Sequence, residues 1–540
     1  MPAVVSFDNN TLKTMLAAGK YVTKNDLVAA EQWAAKHRTS LLEYLLQEQL
    51  LTKDLLGQAI AEHYQLPYAD LNSHVPEADQ ARRIPEAVAK KYRAVLFEEK
   101  PKQAIVTTDQ PEQMLAKIAD LAKLFPKKKI VQAYSLPEDI DAVFLYYRKT
   151  LATRFASIIK GQKRVAPEII EEILGDALSY RASDIHFEPQ KAELVVRFRV
   201  DGVLLEAGRI PREYYENMLN RIKVQSRLRI DEHFAAQDGS MHVERDGLAI
   251  DLRTSIVPTI EGEKVVLRVL AAYVQGFTLG DLGLSPRYEE LLKTTAGKPF
   301  GMILVTGPTG SGKTTTLYAL LKILNRPEDN IMTIEDPVEY KLIGVNQIQV
   351  NPQTNLTFAK GLRSIVRQDP DIILVGEIRD HETAEIAVNA ALTGHLLLST
   401  FHANDAATAI PRLLDMGVEP FLLASTLDLV VAQRLARKIC DQCRHSVSAD
   451  SKNKKFTRYE GKGCSACGQT GYKGRTAIFE CIAMTPEMQA LILTRPSARQ
   501  IWQLAKTQGA RSLFDDGLEK IKNGATTLAE LLRVAEPPQE

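Results

Sequence analysis

Residues 302–314 read MILVTGPTGSGKT and run directly into the helical stretch TTTLYALLKIL. An apolar strand, the pattern G-x-x-x-x-G-K-T and a helix follow one another, and each part has a physical task. Gly307, Gly310 and Gly312 let successive backbone N–H groups turn toward one anion, and the helix behind them adds its positive end. Lys313 is expected to hold β- and γ-phosphates and Thr314 to meet a magnesium ion. The cradle therefore comprises Gly307, Pro308, Thr309, Gly310, Ser311, Gly312, Lys313, Thr314 and Thr315, with ATP as its natural ligand. No Asn-Lys-x-Asp element follows, which disfavours a guanine nucleotide.

Outward from this loop, three later segments read as strands of the same parallel sheet and deliver polar groups beyond their carboxyl ends. They are NIMTIEDP, ending at Glu335 and Asp336; DIILVGEIRD, with Glu377 just past its apolar run; and HLLLSTFHAND, starting at His395 and reaching His402. Phosphoryl transfer needs an acid to organise magnesium, a residue to activate water and cations to neutralise developing charge. Glu377 suits the metal shell and Glu335 the water. An isolated Glu-Asp-Pro is more often a turn, and a lone histidine is more often structural, but a phosphate loop and a second strand-ending acid reverse that weighting for Glu335. Arg363 and Arg367 share a helix face just before the Glu377 strand, and Arg379 follows Glu377 by two residues.

Together GPTGSGKT, TIEDPVEY, ILVGEIRD and LTGHLLLSTFHAND, in this order, resemble the secretion and pilus-assembly ATPases, over about residues 165–535. The resemblance implies that these four motifs are Walker A, Asp box, Walker B and His box. It makes Glu335 and Glu377 the catalytic acids, with His395 and His402 sensing or completing the site. It also implies that Arg253 and Arg268, from the preceding domain, reach the phosphates, so that nucleotide state sets the angle between two rigid bodies. A guanidinium fork is suited to charge that builds up during transfer.

Cys440-Asp-Gln-Cys443 and Cys464-Ser-Ala-Cys467, 20 residues apart, have the spacing of a four-thiolate zinc site. Cys481, within the apolar AIFECI, reads as a core residue. A zinc ribbon on an ATPase raises the alternative of a nucleic-acid translocase. Aromatics are only 6% of the chain and the basics near the cysteines (Lys452, Lys454, Lys455, Arg458) have no stacking platform, so no nucleic-acid partner is expected.

At the other end of the chain, LAAGKYVTKNDLVAAEQ returns 29 residues later as LLQEQLLTKDLLGQAIAE, aligning Leu16 with Leu45, Thr23 with Thr52 and Leu27 with Leu56. This reads as a duplicated helical unit with threonine N-caps. It resembles the amino-terminal region of the same motors, some of which bind cyclic di-GMP through paired Arg-Leu-Gly-x-x-Leu patterns. Here the copies read TLKTML and TSLLEYL, without the arginine, which speaks against dinucleotide sensing; docking to a cytoplasmic or inner-membrane partner is the safer reading.

The bulk properties agree. The chain has 540 residues, enough for three or four domains, with 45% apolar residues and 68 basic against 67 acidic side chains, so no global field draws it to nucleic acid or anionic lipid. Five cysteines cannot frame a disulfide scaffold. MPAVVSFDNN lacks the features of a secretory signal and no apolar run approaches a membrane span, so a cytoplasmic protein is expected, touching the inner membrane through partners.

The expected architecture is α/β. An amino-terminal helical and α+β docking region (1–150) precedes an α+β, PAS-like domain (151–272) and a linker (273–285), followed by a P-loop, RecA-like ATPase domain (286–540) carrying the zinc element at 440–467. The resemblance implies a homo-hexamer acting with an inner-membrane platform protein. The four-cysteine insert points to the assembly branch, building pili or pseudopili, over the retraction branch.

Overall fold

The computed structural model describes residues 8–537 apart from 38–39, 49, 116–117, 145–146, 148–164, 246–247, 271–277 and 448–457. The chain separates into two compact units, one of residues 74–132 and 136–276, the other of residues 3–73, 133–135 and 277–540. The expected 1–150 region is thus shared between the two, and residues 273–277 of the expected linker lie outside the described residues.

The first unit holds β1 (Ala94–Glu99), β2 (Gln103–Thr108) and most of β3 (Lys129–Tyr134), which form a three-stranded sheet. It also holds a six-stranded antiparallel sheet of β4 (Asp184–Pro189), β5 (Glu193–Val200), β6 (Val203–Pro211), β7 (Gln237–Arg245), β8 (Leu248–Thr259) and β9 (Gly262–Leu270), in the order β6-β5-β4-β9-β8-β7. The Asp201-Gly202 turn between β5 and β6 has both residues in the left-handed region (φ 49° and 84°), the conformation a tight hairpin needs. The helix Val165–Ser179 and the helix Tyr215–Gln225 supply Ile169, Ile173, Met218 and Ile222 to a core completed by Ile185, Phe187, Val265 and Leu267 of the sheet.

In the second unit the duplicated helices appear as read. The helices Lys24–His37 and Lys53–His63 begin after Thr23 and Thr52, whose hydroxyls accept from the N–H groups of Asp26 (3.2 Å) and Leu55 (3.3 Å). Leu16, Leu27, Leu45 and Leu56 are all buried, so the repeat pairs core with core.

The main sheet contains β10 (Gly301–Thr306), β11 (Ile331–Glu335), β12 (Asn346–Gln349), β13 (Ile372–Val375), β14 (Leu396–Phe401), β15 (Leu427–Ile439) and, after the short hairpin β16 (Arg444–Val447) and β17 (Arg458–Gly461), β18 (Tyr472–Ala483). Its order is β12-β11-β13-β14-β10-β15-β18, parallel from β12 to β15, with β18 antiparallel. Runs such as MILV and IILV are buried on both sides because helices cover both faces, the rule for parallel sheets. Alternate residues of β10 divide between the two cores. Met302 and Leu304 pack with Leu362, Val388 and Ile410 on one face, and Ile303 and Val305 with Leu292, Leu317 and Leu321 on the other. At about 1.5–3 kcal/mol per buried aliphatic side chain, this double layer fixes the strand ends rigidly. Two motif aspartates serve as helix caps: Asp380 accepts from Thr383 N–H (2.8 Å) and Asp405 from Thr408 N–H (2.7 Å). Among the described residues no helix is long and apolar enough to cross a membrane.

Candidate functional site

Gly307, Gly310 and Gly312 all take positive φ (149°, 79° and 87°), which the loop after β10 requires. A Cβ at Gly307 would lie 2.4 Å from the Gln433 carbonyl oxygen, and one at Gly312 would lie 2.9 Å from Gln433 Nε2, so these positions are closed to larger residues by β15. The helix Lys313–Leu324 starts inside the motif. Lys313 is buried, and its Nζ donates to the Gly307 and Pro308 carbonyls (2.9 and 3.1 Å). Burial lowers its proton affinity, which the charge of Glu377 partly restores and that of Arg434 lowers further. Around this loop Ser311 Oγ, Gln433 Nε2 and Arg434 Nε are buried donors without a partner among the described residues. Such donors about a glycine cradle and a lysine fit a polyphosphate.

Glu335 and Glu377 stand at the ends of β11 and β13, which pair Ile334 with Val375. Glu335 is 3% exposed, and burial raises its proton affinity against hydrogen bonds from Thr333, Tyr318 and Gln347. Glu377 accepts from the Arg379 guanidinium and lies 3.1 Å, Oε2 to Nε2, from His402. Adjoining crossbars tie the strand ends together: Thr400 Oγ1 donates to the Gly376 carbonyl (2.6 Å), and Thr306 Oγ1 donates to the Ala403 carbonyl (2.9 Å) while accepting from Ala403 N–H (2.8 Å). Thr314 and Glu377 offer hard oxygen donors of the kind magnesium takes.

His395 lies elsewhere. It precedes the first residue of β14, at the amino end, and its Nδ1 lies 2.8 Å from the Ala390 carbonyl at the close of the preceding helix. A six-residue strand, about 20 Å, separates it from His402, so only His402 meets the Glu377 carboxylate. Arg363 forms an ion pair with Glu382 (2.7 Å) on the surface, and Asp336 is exposed. Arg253 and Arg268 belong to the other unit, opposite one another across β8 and β9, with Arg268 Nε 3.1 Å from Asp184 Oδ1.

The cysteines converge as their spacing suggested. Cys440, Cys443, Cys464 and Cys467 place their Sγ atoms within 4.8 Å of one another, with pairs at 3.7, 3.8 and 3.9 Å. Sulfurs on a tetrahedron about 2.3 Å from zinc lie about 3.8 Å apart, whereas a disulfide needs about 2.05 Å. Backbone N–H groups of Cys464 and Gly471 reach Cys467 Sγ at 3.2 and 3.3 Å, which favours its thiolate, and burial pushes the Cys440 thiol up. Four thiolates gathered in this way fit a zinc ion. Cys481 is buried in the core, as read. Lys452, Lys454 and Lys455 fall outside the described residues.

Sequence reasoning did not single out Tyr318, Thr333 and Gln347, which surround Glu335, or Arg434, beside the phosphate loop. Two signals were available: a tyrosine in the apolar helix TLYALLKIL, and the regular alternation of GVNQIQV.

Comparison with known proteins bears on this arrangement. Residues 160–533 match the type II/IV secretion system protein family, and residues 64–152 match the MshEN domain. The type IV pilus assembly ATPase PilB of Myxococcus xanthus is 36% identical over 555 residues, covering 96% of this chain and 98% of that protein. The type II secretion system protein E of Pseudomonas aeruginosa is 48% identical over 375 residues, covering 68% of this chain and 74% of that protein. Among solved structures, the Legionella pneumophila ATPase DotB superposes with a TM-score of 0.53 at 20% identity, covering 69% of this chain and 96% of that one, a likeness of fold.

Proposed function

The chain belongs to the type II/IV secretion system protein family, and from that premise we propose that it is a magnesium-dependent, hexameric ATP-hydrolysing motor that drives assembly of pilins or pseudopilins at an inner membrane. The observation that carries the reading is the meeting of a lysine-bearing phosphate loop with two strand-ending glutamates on one sheet. Lys313 and the loop N–H groups hold the phosphates. Thr314 and Glu377 would hold magnesium, which supplies charge neutralisation on the phosphate oxygens. Arg379 and His402 orient Glu377. Glu335 orients a water on the γ-phosphorus and takes its proton as the bond to the β-phosphate oxygen breaks. Arg253 and Arg268 are assigned to the charge that accumulates on the phosphates. The four cysteines would hold zinc as a closed structural site.

The discriminating experiment measures ATP turnover by the full chain alone, with an inner-membrane platform protein, and with DNA. Stimulation by the platform protein and none by DNA is expected, and the reverse would replace this reading with a nucleic-acid translocase. Metal analysis should find about one zinc per chain, lost in Cys443→Ser. Metal-free wild-type protein would remove the zinc assignment.

A further inference from the structure

Among the described residues Glu335 accepts hydrogen bonds from neutral donors only, and the one charged group that acts on it there is the carboxylate of Glu339. Thr333 Oγ1 donates to Oε1 (2.5 Å), Gln347 Nε2 lies 3.3 Å from the same oxygen, and the Tyr318 hydroxyl donates to Oε2. The local sequence places each of them. Thr333 is two residues before Glu335 on β11 and so on the same face, Gln347 is the register partner of Thr333 on β12, and Tyr318 projects from the phosphate-loop helix five residues after Lys313. The cage is itself braced. Gln347 Nε2 shares its two protons among Glu335, the Tyr318 hydroxyl (3.2 Å) and the Tyr340 carbonyl (3.2 Å), and its Oε1 accepts from Leu342 N–H (2.8 Å). The Tyr340 ring meets the Tyr318 ring edge-on with centroids 4.7 Å apart.

A carboxylate has about four acceptor positions, two on each oxygen. Thr333 and Gln347 both approach Oε1, whereas among the described residues Tyr318 alone donates to Oε2. We propose that Tyr318 is a positioning residue that aims Glu335 Oε2, the oxygen with an acceptor position to spare, at the attacking water. This rests on the reading of Glu335 as the water-activating acid. Because Tyr318 and Lys313 ride on one helix, the aim of the carboxylate is tied rigidly to the grip on the phosphates.

The same hydroxyl also works against burial. Desolvation, and to a smaller extent the charge of Glu339, drive the Glu335 proton affinity up and the three hydrogen bonds pull it down, so removing one lets it rise further. A base whose proton affinity rises is ionised only at higher pH, and the acidic limb of the rate profile moves with it.

The test is the pH dependence of kcat and KM for ATP on the full chain, for wild type, Tyr318→Phe, Thr333→Val, Thr333→Ser and Glu335→Gln. Tyr318→Phe is expected to lower kcat about tenfold at neutral pH, to leave KM within about twofold, and to move the acidic limb upward by about one pH unit. Thr333→Val should move the limb the same way, and Thr333→Ser, which keeps the hydroxyl, should return it. A limb that stays in place in both Tyr318→Phe and Thr333→Val, or moves downward as loosened packing and entering water would make it, overturns the proposal even if rates fall. Wild-type turnover in Glu335→Gln is a separate failure, that of the underlying assignment of Glu335.

Discussion

The ends of β11 and β13 are neighbours in one sheet, and each carries a buried glutamate, but the two carboxylates keep different company. Glu335 accepts from two hydroxyls and an amide, and burial holds its proton affinity up. Glu377 faces the Arg379 guanidinium and His402. Glu530 carries the contrast to its limit. Its side chain is 0% exposed, yet Arg533 and Arg437 overcome burial and hold its pKa down to about 2. Burial therefore does not assign a role to a carboxylate; the charge of its partners does. A buried acid with neutral donors suits proton transfer, whereas a guanidinium beside a carboxylate, as at Glu530, suits fixed negative charge.

The harshest way to break the comparison is to remove Lys313 of the phosphate loop, whose proton affinity the charge of Glu377 raises. Lys313→Ala is expected to weaken nucleotide binding at least about 100-fold and to abolish turnover, measured by equilibrium titration with a labelled ATP analogue. Binding at wild-type strength would mean that the loop does not grip phosphates through this lysine.

Glu530→Gln sharpens the charge side, because it keeps the shape and removes the ionisation. The folded pKa of Glu530 lies below its ordinary value of 4.5, so its contribution is complete above pH 4.5 and is lost as pH falls through about 2. A loss of about 3 kcal/mol at pH 7, shrinking between pH 4.5 and 2, is expected in denaturant melts. Equal stability of variant and wild type at pH 7 would show that the two arginines contribute nothing net.

The smallest effect should come from His402→Gln. The Glu377 carboxylate keeps Arg379 and loses one orienting contact, so kcat should fall about tenfold, with a raised magnesium requirement in a metal titration. An unchanged titration would detach His402 from the Glu377 side of the site.

Much of this was legible in the sequence because it is local. Glycine spacing gave the loop, apolar runs gave the parallel strands, paired Cys-x-x-Cys gave the thiolate cluster, and the 29-residue repeat gave helices whose caps and core leucines match copy for copy. Glu335 and Glu377 were found because a strand end is a position that hydropathy marks. The two histidines show the limit. Both flank the same strand, and only the strand direction tells that His395 closes a helix while His402 reaches a carboxylate. Tyr318 and Gln347 show in the sequence only as a tyrosine in an apolar helix and an alternating stretch; that they meet at Glu335 depends on β12 lying beside β11, and sheet order is a long-range fact that no local pattern carries.

The central claim is that Glu335 works on water while the phosphates are gripped elsewhere. It is tested most directly by measuring nucleotide binding and single-turnover ATP cleavage side by side in Glu335→Gln. Binding within about threefold of wild type, with cleavage slowed at least about 100-fold, is predicted. Cleavage at the wild-type rate would contradict the account.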